Sequence, residues 1–250
     1  MRWVGIDLHI HTVLSPCGDW NMSPKKIIEK AQKVGLEVIG ITDHHIVENF
    51  PAVSFWGKKA EVVVLPGMEI QTKEEVHVLA IFRDYERAVI FQEIIWRYLP
   101  EEKNNEELLG IQVVVNEKEE VERIEDKLLL TSINLSLKEV IRLIKELDGI
   151  VILAHIDKPA FSVISNLGFI PENLEFDFIE LSRNINLKKF FSNNPRLLSK
   201  RNKNIIISSD AHYIDDIKEP MTFLKIESKT IEGVFLGLEN RFVKLKEMEV

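Results

Sequence analysis

WVGIDLHIHTVLSPC, residues 3–17, opens as an apolar run and turns polar at its end. WVGIDL reads as a buried strand. His9 and His11 follow at i and i+2, a spacing that puts both side chains on one face of a strand, roughly 7 Å apart. Six residues further on stands Cys17, the only cysteine of the chain. A lone pair of histidines is weak evidence. Its meaning depends on what the rest of the chain brings to the same place.

Outward from this stretch, short β-rich runs alternate with helical patterns. SPKKIIEKAQKVG (23–35) has Ser23 in the N-cap place, Pro24 at the first helical position and Gly35 as a stop. EVIGIT (37–42), AEVVVL, VHVLAIF (76–82), GIVILAH (149–155), FDFIEL (176–181), NIIISS (204–209) and TFLKIE (222–227) read as strands. RAVIFQEIIWRYL (87–99) and LSLKEVIRLIKELDG (135–149) read as helices with apolar residues at helical spacing. This alternation predicts a mostly parallel sheet or an α/β barrel. The charged stretch 100–134 interrupts the rhythm and reads as a small helical insertion within a single domain spanning 1–250.

Composition narrows the function. Net charge is −8, which disfavours gripping nucleic acid by bulk charge but leaves room for a local cationic site. No apolar run approaches the roughly 18 residues of a membrane helix, and the N-terminus lacks a signal-peptide pattern, so no membrane association is expected. A single cysteine forms no internal disulfide, which fits a cytoplasmic setting. The oligomeric state is not legible.

The seven histidines are His9, His11, His44, His45, His77, His155 and His212. None falls in a predicted helix. Most end a predicted strand: His9 and His11 after WVGIDL, His44 and His45 in TDHH, His155 in LAH, His212 in SDAH. His77 begins its strand, and a hairpin would return it to the rim that carries Glu69. The C-terminal strand ends are where α/β barrels build their active sites. Asp7, Asp43, Glu69 and Asp210 fall in the same places. Imidazoles and carboxylates gathered on one rim are costly to desolvate unless something pairs them, and divalent metal ions such as zinc, manganese or iron do so.

DLHIHT, TDHH, GMEI with a following VH, LAH and SDAH together resemble the PHP (polymerase and histidinol phosphatase) family, in that family's order, from residue 7 to 212. The resemblance implies a distorted (β/α)7 barrel with two or three divalent ions that hydrolyses phosphoesters. It implies that His9, His11, Glu69 and Asp210 hold the first ion, that Glu69 bridges to a second completed by His77 and His155, and that His44 and His212 bind a third. The position that often supplies a further ligand to the third ion aligns with Cys17, a softer donor than the usual Asp or His. Asp7 and Asp43 are expected to accept the outer N–H of ligating imidazoles. His45 has no assigned ligand role and is expected to stand behind the ligands, to face substrate or to be structural.

The ions would supply a hydroxide nucleophile and neutralise the phosphoryl oxygens. Arg183, just past a strand end, and Lys158, three residues after His155, are candidates to clamp phosphate. Glu180 is placed either to orient Arg183 or to serve the site itself. The basic stretch 188–203, with two phenylalanines, reads as a helix whose aromatic side faces the core. Hydrolysis of a small phosphomonoester, such as a nucleotide or histidinol phosphate, is the leading expectation. A 3′–5′ exonuclease or other nuclease acting on DNA or RNA is the second, and a non-catalytic metal-binding regulatory domain the third.

Overall fold

The structure is a computed structural model that describes residues 1–194 and 204–246. Its strands are β1 (Arg2–Ile10), β2 (Val38–Ile41), β3 (Val63–Gln71), β4 (His77–Ile81), β5 (Val113–Val115), β6 (Val121–Ile124), β7 (Ile150–Leu153), β8 (Phe178–Ser182), β9 (Ile205–Ser208), β10 (Thr222–Ile226) and β11 (Val243–Leu245). Among the described residues, the main sheet runs β11-β10-β1-β2-β3-β4-β7-β8-β9. Each apolar run read from the sequence becomes one of these strands.

The strands from β1 to β9 curl into a nearly closed barrel. Its seam is a parallel bridge between Ile10 and Ala211. There His11 N–H donates to the Ala211 carbonyl at 3.0 Å and Ala211 N–H to that of His9 at 3.2 Å. Seven strands line this ring, β10 and β11 extending antiparallel from β1. Strand β4 runs against both β3 and β7, whereas the other ring pairings are parallel. This is the distorted seven-stranded α/β barrel that the motifs imply.

Helices α1 (Pro24–Lys33), α2 (Phe50–Ala60), α3 (Tyr85–Trp96), α4 (Glu106–Leu109), α5 (Leu137–Glu146), α6 (Val163–Leu167), α7 (Leu187–Asn193) and α8 (Ile231–Glu239) connect or flank the strands. Helix α1 shows why its segment folds locally: Pro24 opens it, and Ile27, Ile28 and Ala31 form the buried stripe. Ser23 takes the N-cap place but makes no side-chain cap bond. Helix α5 carries a reciprocal Ser136–Glu139 capping box. None of the described helices is long and apolar enough to cross a membrane.

Two apolar layers result. One lies between the sheet and its outer helices. The other fills the barrel with Ile6, Leu8, Leu65, Leu79, Ile152, Phe178 and Ile206, and α8 adds Val234, Phe235 and Leu238. Burying each such side chain stabilises the fold by about 1.5–3 kcal/mol. Residues i+2 and i+4 on the same strands continue this inner face toward the C-terminal rim, Glu69 beyond Leu65 and Glu180 beyond Phe178, while Asp210 follows two residues past the end of β9.

The insertion corrects one expectation. In place of charged helices, residues 100–134 hold only the single turn α4 and an antiparallel β5–β6 hairpin. Three consecutive valines favour strand, and the Asn116 side chain accepts from the Lys118 and Glu120 amides, which turns the chain. The basic stretch begins in α7, where Phe190 and Phe191 pack on the outer core. Its residues 195–203 lie outside the described residues.

Candidate metal centre

The strand ends bring their imidazoles and carboxylates together at one rim. Among the described residues three sets of donor atoms converge within 4.8 Å: His9, His11, Glu69 and Asp210; Glu69, His77 and His155; His11, His44 and His212. Glu69 is the hub. Its Oε1 lies 2.7 Å from His77 Nδ1, 3.2 Å from His155 Nε2 and 3.3 Å from His9 Nε2. Its Oε2 lies 3.4 Å from His11 Nε2 and 3.3 Å from His44 Nδ1. The β3–β4 hairpin does return His77 to Glu69, with Gln71 opposite His77 in the register.

Local backbone departs from the rules of a strand to achieve this. Leu8 belongs to the barrel interior, so strict alternation would turn His9 outward. A register shift between Asp7 and Ile10 breaks the alternation, and His9 faces inward. His155 and Asp210 adopt positive φ, 26° and 50°, which L-residues rarely do. Such strain persists only where the surroundings impose it, and it gathers at functional sites.

A second layer fixes the rings. His9 Nδ1 donates to Glu180 Oε1 at 3.0 Å, and the His155 amide donates to the same oxygen at 3.1 Å. Ser15 Oγ donates to Asp43 Oδ1 at 2.6 Å, which leaves it to accept from His11 Nδ1 at 2.9 Å. Thr12 also donates to Asp43 through its amide and hydroxyl. His212 Nδ1 donates to the Asp210 carbonyl at 2.9 Å. Asp7 accepts from the His9 and Ser209 amides, so it holds backbone rather than a ring. His45 Nε2 donates to the Thr131 carbonyl at 2.9 Å and ties the insertion to the rim.

These partners leave the Nε2 atoms of His9 and His11 facing the centre, among the Glu69 and Asp210 oxygens. With both Nδ1–H groups committed, the Nε2 atoms of His9 and His11 face one another at 3.2 Å. In neutral rings these would be two opposed lone pairs. Asp210 Oδ1 meets no donor in hydrogen-bond geometry among the described residues, although it is buried. A divalent cation satisfies all three atoms at once, and imidazole with carboxylate is a suitable donor set for zinc, iron or manganese.

Without such an ion, protons do the balancing. Burial pushes the His9 imidazole down, but Asp210, Glu180 and Glu69 outweigh it and hold its pKa well above the ordinary value. Against the same burial, Asp210 and Glu69 hold His11 up at about 9. Burial raises Glu69 and Asp210, yet the surrounding imidazoles carry both well below the usual carboxylate range. Burial lowers His212 to about 4 and His45 to about 4, and it takes His44 well below the ordinary value. Burial raises Asp7 to about 6.

The centre floors an open cleft of about 670 Å³. Leu130, Thr131 and Ser132 of the insertion form one wall, Lys158, Ala160 and Phe161 another. Lys158 reaches Asp210 Oδ2 with its ammonium. Cys17 lines the cleft but belongs to none of the three donor sets, and burial followed by the nearby Glu69 charge pushes its thiol up, away from the thiolate. Arg183 is not brought to the centre; its guanidinium donates to the Glu219 carbonyl at 2.6 Å. Sequence reasoning missed Ser15 and Phe161 altogether and left the role of Glu180 open.

A strand-end imidazole and carboxylate centre in a distorted seven-stranded barrel defines a metal-dependent hydrolase. The family model of the PHP domain matches residues 7–209, and the chain belongs to that family. A stretch of 64 residues is 44% identical to the PolC-type DNA polymerase III of Oceanobacillus iheyensis, covering 26% of this chain and 4% of that one. An uncharacterised protein of Methanocaldococcus jannaschii is 34% identical over 98 residues, covering 36% of this chain and 57% of its own length. The chain thus spans only part of these relatives. Among solved structures, the lesion-specific endonuclease PfuEndoQ of Pyrococcus furiosus superposes over 96% of this chain and 56% of its own, with TM-score 0.65 and 20% identity. A Bifidobacterium adolescentis protein assigned as a metal-dependent phosphoesterase does so over 84% and 88%, with TM-score 0.58 and 20% identity.

Proposed function

We propose that this PHP-family hydrolase cleaves a small phosphomonoester in the cleft above the histidine rim, in a cytoplasmic setting. The observation that carries the reading is the convergence of imidazole nitrogens and carboxylate oxygens on Glu69 and Asp210. His9, His11, Glu69 and Asp210 would hold one divalent ion, Glu69 with His77 and His155 a second, and His44 and His212 with His11 a third. Bound there, such ions lower the pKa of water to give a nucleophile and neutralise developing charge on phosphate oxygens.

The chain's own residues do the rest. Glu180 and the Ser15–Asp43 pair keep the Nδ1 protons of His9 and His11, so the Nε2 lone pairs face the centre. Lys158 is the only cation among the described residues lining the cleft, and its ammonium suits a phosphate oxygen. The cleft volume suits a nucleotide-sized ligand.

A second reading, cleavage of a nucleic-acid strand, draws support from the likeness to PfuEndoQ and to the polymerases. One assay separates them. Purified protein given Mn²⁺ or Zn²⁺ is expected to release inorganic phosphate from nucleoside monophosphates or p-nitrophenyl phosphate. Shortening or nicking of a labelled oligonucleotide without that release would favour the nuclease. Metal confirmed bound with neither activity would leave a regulatory metal-binding domain.

A further inference from the structure

The loop after β7 presents an aromatic ring that the chemistry above does not use. Phe161 is 42% exposed at the mouth of the cleft. Its backbone sits at φ 55°, where a bulky L-residue is strained. Exposure forfeits the gain an apolar ring makes on burial, and the backbone strain adds to that cost. Local preferences therefore argue twice against a phenylalanine here.

The ring is nonetheless held. It stacks on the His77 imidazole, with centroids 4.9 Å apart and planes 18° from parallel. Its carbonyl accepts from the His77 amide at 2.9 Å. The loop is braced on both sides. Lys158 N–H donates to the His155 carbonyl at 2.9 Å, and Ser162 Oγ donates to the Lys158 carbonyl at 2.9 Å. Ser162 then caps α6 with a reciprocal Ser165 bond. One short braced loop thus carries a cation and, three residues on, a rigid π-face, both into the cleft over the rim.

We propose that Phe161 is the specificity-determining residue of this site, a platform on which a planar aromatic group of the substrate stacks while its phosphate lies by Lys158 at the histidine rim. The inference rests on the phosphomonoester reading and names the leaving group: a ring-bearing alcohol, such as a nucleoside or a phenol, in preference to an aliphatic one. Stacking of a base on an aromatic side chain is worth about 1–3 kcal/mol, roughly 5- to 150-fold.

The test compares kcat/KM for adenosine monophosphate, p-nitrophenyl phosphate and glycerol phosphate in wild type, Phe161→Leu and Phe161→Tyr. Wild type should prefer the nucleotide to glycerol phosphate by at least 10-fold. Phe161→Leu should cut that ratio at least 5-fold through KM, and Phe161→Tyr should keep it. Adenosine monophosphate and p-nitrophenyl phosphate report whether a nucleobase or any aromatic ring suffices. Equal efficiency on ring-bearing and aliphatic esters, or a parallel fall on both in Phe161→Leu, overturns the inference while leaving phosphomonoester hydrolysis intact. No phosphate from any ester would remove the underlying reading. In that event saturation-transfer NMR with adenosine monophosphate still decides the platform: contact at the base protons that Phe161→Leu abolishes upholds it, and no base contact in the wild type refutes it.

Discussion

Two ends of the histidine rim follow opposite electrostatic plans. At one end His9 and His11 meet Glu69, Glu180 and Asp210, and His11 is held up at about 9 despite its burial. At the other end burial takes His212 down to about 4 and His44 well below the ordinary value. Glu69 Oε2 does reach His44, but imidazoles of His11, His77 and His212 oppose a proton there. The residue type is the same; neighbours set the charge. For a divalent ion the consequence is unequal. The carboxylate end offers two anionic donors, whereas the third donor set is three imidazoles, with His212 partly exposed to the cleft. The carboxylate end should bind first and hold longest.

Removing an anion from the strong end gives the largest effect. Asp210→Asn should lower phosphate release on the order of 10³-fold and cost at least one tightly held ion per chain by elemental analysis. His212→Ala should keep the tight ions and lose only a weaker one. Equal metal loss in both variants would erase the distinction between the two ends.

Glu180→Gln probes the brace behind His9. Loss of such an outer partner typically weakens metal binding about 10–100-fold. Competition against a chelator with known affinity reads this directly, and an unchanged affinity would show that the ring needs no carboxylate behind it.

The smallest effect is on stability, and it separates the two ends by sign. His11 is raised in the folded chain, from 6.5 to about 9. Its stabilisation of the metal-free protein is full below pH 6.5 and lost as pH rises through about 9. His212 is lowered from 6.5 to about 4. Its contribution is full above pH 6.5 and lost as pH falls toward 4. Thermal melts of chelator-treated protein should show a falling Tm above pH 6.5 that His11→Ala flattens, and an acid-side loss that His212→Ala reduces. Saturating metal should reverse the alkaline fall, since protons and ions compete for the same nitrogens.

Most of the rim was legible before the structure because its residues fall at the ends of predicted strands, although the inward turn of His9 needs a register shift that spacing does not reveal. His9 with His11, TDHH, LAH and SDAH each sit where a barrel strand must stop. Glu180 was harder. It lies 171 residues from His9 in sequence, and only strand order places it behind that ring. Arg183 failed for the opposite reason: a position just past a strand end says nothing about direction, and the Glu219 carbonyl claims its guanidinium. Charge density misled at 100–134, where three valines and an asparagine turn outweigh the helix-forming glutamates. Phe161 left no signal, because a single phenylalanine after a strand usually joins the core.

By itself the sequence determined the alternation of strands and helices, the barrel class and the identity of the clustered imidazoles and carboxylates. These are matters of period and local pattern, which neighbours in the chain enforce. Only the tertiary structure decided that Glu69 serves five histidines, that a register shift turns His9 inward, that Cys17 lies outside the donor sets, and that an exposed ring guards the cleft. Those facts depend on which distant strand ends meet across the barrel, and on desolvation that no linear spacing can express.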